Sequence, residues 1–316
     1  MTPSRAPAEI EADAAAAVAR LRGQPGVLDA HSPAGRLVEL TVDSRALGGE
    51  GRARVLVPPG YAAAPARRRP VLYLLHGLAE PDWLTGTAVD RDTAGYPALV
   101  VMPDGGAYGF YSDWLDGPAW ARFHLTELSG LVERGLGGGP RQAVAGFSMG
   151  GFGALSYAAR HPGRFAAVAS YSGLTDSLAG AANVMAAVEA FGGDPAALWG
   201  DPVADAAVWH RHNPYDLVHR LRATPVWLAS GDGRPGPFDP PGAPPDWMES
   251  WVGPMNARFA AHARAHGVRP ITRLYGPGGH SWPYWDRELR LSLPFLMAAL
   301  GAHGRPDAAR PQRRSR

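Results

Sequence analysis

Residues 142–160, QAVAGFSMGGFGALSYAAR, decide the fold. Residues 142–146 close a short apolar run of the kind that forms a buried strand, and residues 151–160, rich in Gly and Ala, suit a helix. Between them stands Gly146-Phe147-Ser148-Met149-Gly150, a G-x-S-x-G. A serine held in a strained strand-to-helix turn needs neighbours without bulk two residues away on each side, and this stretch supplies both. Gly151 and Gly153 let the helix that follows pack closely.

Upstream, residues 37–42 and 52–57 alternate around Gly48, Gly49 and Gly51, which predicts an opening antiparallel hairpin. Residues 71–75 and 98–102 are continuous apolar runs ending at His76-Gly77 and Pro103-Asp104, and read as buried parallel strands. Residues 123–134 suit a helix. Downstream, residues 166–170, 226–230 and 271–275 add strands, and residues 288–300 a closing helix. Strands alternating with helices predict a mostly parallel central sheet covered on both faces. With the serine turn, this is the pattern of the α/β-hydrolase fold. Residues 176–222 break the rhythm and are expected to form a cap-like insertion, and residues 231–245, dense in Pro and Gly, a loop. The expected division is an N-terminal appendage (1–35), an α/β-hydrolase domain (36–303) and a flexible basic tail (304–316).

In such a fold Ser148 is the nucleophile and its general base comes late in the chain. Of the 11 histidines, His280 follows the last strand in the loop Gly276-Pro277-Gly278-Gly279, which can carry an imidazole to the strand ends. His161, His210, His212, His219, His262 and His266 read as surface or cap residues. An oxyanion needs two donors: Met149 offers the backbone N–H after the serine, and Leu78, in the turn His76-Gly77-Leu78, the second. On the residues alone the acid stays open. Asp232, in Ser230-Gly231-Asp232-Gly233, directly ends a strand, where most α/β-hydrolases carry it; Glu249 and Asp246 compete.

Composition narrows the classes. The chain has 316 residues, 46% hydrophobic and 19% charged, enough for one sizeable core. A formal charge of +2, with arginines concentrated in the tail and no binding motif beside them, excludes a nucleic-acid footprint. There is no cysteine, hence no disulfide, thiolate metal site or cysteine nucleophile. Gly137-Gly138-Gly139 leads into a strand rather than a phosphate-cradling helix, so neither a nucleotide, a metal nor another cofactor is expected. Residues 1–23 lack the apolar core of a signal peptide and no run is long enough to span a bilayer, which gives the expectation of a soluble, cytoplasmic protein.

Further motifs carry a family resemblance. Met102-Pro103-Asp104-Gly105-Gly106, Phe110-Tyr111-Ser112-Asp113-Trp114, Leu198-Trp199-Gly200, Asn213-Pro214 and His280-Ser281-Trp282 with Tyr284-Trp285 resemble the mycobacterial mycolyltransferases and their esterase relatives, over residues 37–300. The resemblance implies acyl transfer through an acyl-serine, to water or to a sugar or other alcohol. It also implies Glu249 as the acid, because Trp247-Met248-Glu249-Ser250-Trp251 matches the family's glutamate segment; Asp232 remains the alternative. The chain departs from the mycolyltransferases at His76 and Ala79, where they carry the Asp and Arg of their sugar site, and at Gly150, where they carry Ala. Those departures point to an intracellular esterase or tailoring acyltransferase. The expected partners are a small acyl ester or thioester and an alcohol or sugar acceptor, with His76 and Trp282 as substrate contacts. The alternative reading is a non-catalytic binding protein that retains the fold.

Overall fold

The structure is a computed structural model and describes residues 6–79 and 82–304. The expected tail, from Arg305 onward, lies outside the described residues. Nine strands form one sheet among them: β1 (Val27–His31), β2 (Leu37–Ser44), β3 (Gly49–Leu56), β4 (Arg69–Leu75), β5 (Leu99–Pro103), β6 (Gly138–Phe147), β7 (Phe165–Tyr171), β8 (Val226–Ser230) and β9 (Ile271–Leu274). Their spatial order is β1-β2-β3-β5-β4-β6-β7-β8-β9. The first three pair antiparallel and β3 meets β5 antiparallel; from β5 to β9 every pairing is parallel. The predicted hairpin is β2–β3, in the register Leu37 opposite Leu56 through Ser44 opposite Gly49.

Period-two alternation in the central strands sorts the core into two layers. Val71, Tyr73, Leu75, Val144 and Val168 face one side, and Leu72, Leu74, Ala143, Ala145 and Ala169 the other. The first layer is covered by α1 (Pro7–Arg22), by α5 (Ser129–Leu136), and by α6 (Met149–Arg160) and α10 (Trp247–Ala265), which contribute Leu21, Leu131, Leu155 and Phe259. The second is covered by α2 (Trp83–Gly86), α3 (Val89–Thr93) and α11 (Trp282–Ala299), through Trp83, Val89, Leu289 and Leu293. Helix α5 continues α4 (Trp120–Arg122) through a π-helical turn, Phe123–Leu128. Both faces of β4, β5, β7, β8 and the second half of β6 are thereby dry, which is why their sequences read as apolar runs, whereas the edge strand β9 stays partly exposed.

Among the described residues, the segment 6–35 expected as an appendage packs onto the rest of the fold. Ala14, Ala17 and Leu21 of α1 are fully buried, β1 adds the sheet's edge strand, and Arg20 Nε donates to Gly135 O at 2.7 Å. Alanine supplies too weak an apolar signal for this face to stand out in the sequence. Helix α11 likewise begins at Trp282 rather than Glu288, with Pro283 in its first turn, where a missing N–H costs nothing.

The insertion over the strand ends comprises α7 (Ala181–Ala190), α8 (Pro195–Trp199), α9 (Ala206–His212) and a 3₁₀ turn, Val218–Leu221. Motifs singled out in the sequence tie it down. Trp199 Nε1 donates to Ser112 Oγ at 2.9 Å, joining Leu198-Trp199-Gly200 to Phe110-Tyr111-Ser112. Asn213 accepts from Ser177 N and donates to Asp176 and Asp216. Among the described residues no helix is long and apolar enough to cross a membrane.

Candidate active site

Strand β6 delivers Ser148 into the turn before α6 with φ 54° and ψ −122°, a conformation most non-glycine residues avoid. The glycines on either side make it fit. A Cβ on Gly146 would lie 2.3 Å from Gly150 O, and one on Gly150 would lie 2.2 Å from Leu75 O and 2.6 Å from His76 O. The α6 N-terminus therefore sits directly against the end of β4. Ser148 N–H donates to Tyr171 O at 2.9 Å, fixing the turn to β7.

His280 Nε2 lies 2.9 Å from Ser148 Oγ, and its Nδ1 lies 2.8 Å from Glu249 Oε2. Glu249 is fully buried at the start of α10. Its Oε1 accepts from Ser172 Oγ at 2.8 Å, Ser230 Oγ at 2.8 Å and Gly231 N at 2.6 Å. A carboxylate surrounded only by donors keeps its charge compensated in a dry site, and it obliges Nδ1 to carry the proton, leaving Nε2 free to accept the serine's. Burial, with the charge of nearby Glu249, pushes the Tyr275 phenol well above its usual range.

Asp232, the alternative acid, is elsewhere. Its carboxylate accepts from Arg234 Nε at 2.9 Å and Nη2 at 2.6 Å at the surface, and this pairing lowers its pKa. Asp246 caps α10 and holds two site residues by their main chains: Oδ1 accepts from Glu249 N at 2.9 Å and Oδ2 from His280 N at 3.0 Å. Sequence reasoning missed Ser172, Ser230 and this use of Asp246. Ser172 and Ser230 stand at or just beyond the ends of β7 and β8, a position that could have flagged them; Ser172 also has φ 48°, which no sequence signal announces.

The two expected substrate contacts, His76 and Trp282, both make contacts within the protein. His76 is buried and engages both ring nitrogens within the protein: Nε2 accepts from Gly105 N at 2.8 Å and Nδ1 lies 2.7 Å from Gly77 O. Trp282 fills the space left by Gly86, where a Cβ would approach it to 2.1 Å, and packs edge-on against Phe147, with ring centroids 4.7 Å apart, and Trp83, at 5.7 Å. It belongs to an aromatic cluster beneath the serine turn. Trp285 extends that cluster, stacking on Phe147 and meeting the His280 ring at 89°.

Ser148, Met149 and Leu78 together line an apolar cavity of about 270 Å³. Its walls come from Val184 and Ala187 of α7, from Trp251 and Val252 of α10, and from Leu174, while Trp247, 69% exposed, also lines it. Met149 opens α6, so its N–H precedes the intrahelical ladder. A second, polar cleft of about 460 Å³ is lined by His76, Asp104, Asp82, Arg54, Arg52 and Glu39, among others.

Sheet, serine turn and Ser–His–Glu hydrogen-bond chain define an enzyme of the serine hydrolase class with the α/β-hydrolase fold. The chain belongs to the putative esterase family, which it matches over residues 44–296. It is 34% identical over 256 residues, 74% of each chain, to the diacylglycerol acyltransferase/mycolyltransferase Ag85A of Mycobacterium tuberculosis. It is 36% identical over 221 residues to an esterase of the same organism, covering 65% of this chain and 48% of that one. Among solved structures it resembles M. tuberculosis MPT51 (TM-score 0.69, 26% identity), covering 85% of this chain and all of the other. The protein is an esterase or acyltransferase acting on an ester, and the reading as a non-catalytic binding protein finds no support.

Proposed function

We propose that Ser148 attacks the carbonyl of an ester or thioester whose acyl group lies in the apolar cavity. His280 takes the serine proton and returns it to the leaving alcohol or thiol, while Glu249 holds the tautomer and stabilises the imidazolium. The N–H groups of Leu78 and Met149 receive the oxyanion. Water, or an alcohol or sugar hydroxyl, then enters; His280 accepts its proton and the collapsing intermediate releases Ser148. The observation that carries this reading is the unbroken chain Ser148 Oγ, His280 Nε2, His280 Nδ1, Glu249 Oε2, at 2.9 and 2.8 Å, opening on that cavity.

The cavity limits the donor. At about 270 Å³ it is less than twice the ~150 Å³ that accommodates benzene, so it takes a short or medium aliphatic acyl group or one aromatic acyl group. The polar cleft beyond His76 offers hydroxyl-bearing acceptors hydrogen-bonding walls. The reading includes a cytoplasmic location; recovery of activity outside the cell would contradict that part.

Initial rates on p-nitrophenyl esters of increasing chain length, with and without glycerol or glucose, test the proposal. Activity concentrated on short and medium acyl groups and abolished in Ser148→Ala supports it. Activity retained in Ser148→Ala overturns it. The ratio of acylated acceptor to free acid assigns hydrolysis or transfer.

A further inference from the structure

The turn carrying Leu78 is held by a histidine that the acyl-transfer steps leave untouched. We propose that His76 is a positioning residue that aims the Leu78 N–H at the oxyanion, acting through the Gly77–Leu78 peptide. The inference rests on Ser148 being the nucleophile.

Two main-chain partners determine the state of the ring. Gly105 N–H can only donate, so Nε2, 2.8 Å away, is unprotonated; Gly77 O can only accept, so Nδ1, 2.7 Å away, bears the hydrogen. In a trans peptide the C=O and N–H point in opposite directions. Securing Gly77 O on the imidazole therefore sends the Leu78 N–H away from the ring. His76 lines the polar cleft, whereas Leu78 lines the apolar cavity with Ser148. The following residue is fixed as well: Ala79, with φ 63°, donates its N–H to Ala107 O at 2.8 Å.

The imidazole is in turn anchored from below. The Asp104–Gly105 peptide gives its N–H to His76 and its C=O to His124 Nε2 at 2.6 Å, and His124 Nδ1 accepts from the Tyr157 hydroxyl at 2.8 Å. Tyr111 donates its hydroxyl to His76 O at 2.9 Å. His124 reaches Asp104 from the π-helical turn, an irregularity that often marks functional positions. The chain of contacts runs Tyr157, His124, peptide 104–105, His76, peptide 77–78. It ends at a backbone donor that has work only when the carbonyl becomes an oxyanion.

Two amide variants separate this role from bulk packing. In His76→Asn the amide nitrogen occupies the place of Nδ1 and can still donate to Gly77 O; in His76→Gln the amide lies at the place of Nε2 and serves Gly105 alone. With a short p-nitrophenyl ester, His76→Gln should lower kcat by about 10–10² with KM within about threefold, because a misdirected oxyanion donor weakens the transition state and not substrate binding. His76→Asn should recover at least about tenfold of that loss, both variants being assayed well below their melting midpoints. Equal losses in the two variants, an unchanged kcat in His76→Gln, or a rise in KM at constant kcat overturns the proposal. Fluorophosphonate labelling of the wild type, absent in Ser148→Ala, is scored alongside: its failure refutes the nucleophile, whereas normal labelling with no Asn–Gln difference refutes only His76.

Discussion

Replacing Glu249 by Gln removes one charge and almost no volume, and the site dictates how the amide must sit. Oε1 receives three donors, and the Gly231 N–H among them cannot turn into an acceptor. Directing the amide NH₂ at that N–H would leave a buried donor unpaired, at about 1–3 kcal/mol. The carbonyl of the introduced amide therefore takes the Oε1 place, and its NH₂ faces His280 Nδ1. That nitrogen must then accept, which moves the ring hydrogen to Nε2, 2.9 Å from Ser148 Oγ. A protonated Nε2 cannot take the serine proton. Loss of about 10⁴ in kcat follows, as for a triad whose acid is amidated and whose tautomer is thereby wrong; this is about 5.5 kcal/mol of transition-state stabilisation. The assay is steady-state hydrolysis of p-nitrophenyl butyrate, with circular dichroism to establish that the variant folds. Glu249→Gln within tenfold of wild type, or Asp232→Asn matching its loss, would rule Glu249 out as the acid.

Four other outcomes are expected. Leu21→Ala should destabilise the protein by about 2–5 kcal/mol in urea unfolding, because the side chain is fully buried in the core and not in a detachable segment. His124, lowered to about 4 by burial, is neutral in the fold, whereas the unfolded chain binds its proton below about 6.5; its stabilisation is full above pH 6.5 and is lost as pH falls toward 4, up to about 3 kcal/mol. Urea midpoints from pH 7 to 4.5 should therefore fall less steeply in His124→Gln. Ala187→Phe, which fills the apolar cavity, should reduce kcat/KM for an octanoyl ester about 100-fold while sparing acetyl, since excluding four methylenes at about 0.8 kcal/mol each removes about 3 kcal/mol. Asp246→Ala should lower kcat more than it raises KM, by releasing the main chains of Glu249 and His280.

The inner parallel strands were legible because burial on both faces writes apolar runs, and the serine turn because steric exclusion at Gly146 and Gly150 leaves few alternatives. Helix α1 was not, since a face made of Ala14, Ala17 and Leu21 carries little hydrophobic contrast. His280 could be placed from its loop after the last strand. The carboxylate could not be chosen from the residues alone: Asp232 holds the ordinary position, yet its side chain turns to Arg234, while Glu249 reaches His280 from a helix whose start depends on the Asp246 cap. Only resemblance to the mycolyltransferases indicated it. The backbone partners of His76 were not legible, because a sequence shows which side chain ends a strand and not which groups its nitrogens meet.

Catalysis through a covalent acyl group on Ser148 is read directly by mass spectrometry of the acid-quenched enzyme during turnover of a slow p-nitrophenyl ester. The expected result is a mass increase equal to one acyl group, mapped to the peptide containing Ser148, that disappears on substrate exhaustion and never forms in Ser148→Ala. Turnover with the acyl group on any other residue, or an adduct that persists in Ser148→Ala, would contradict it.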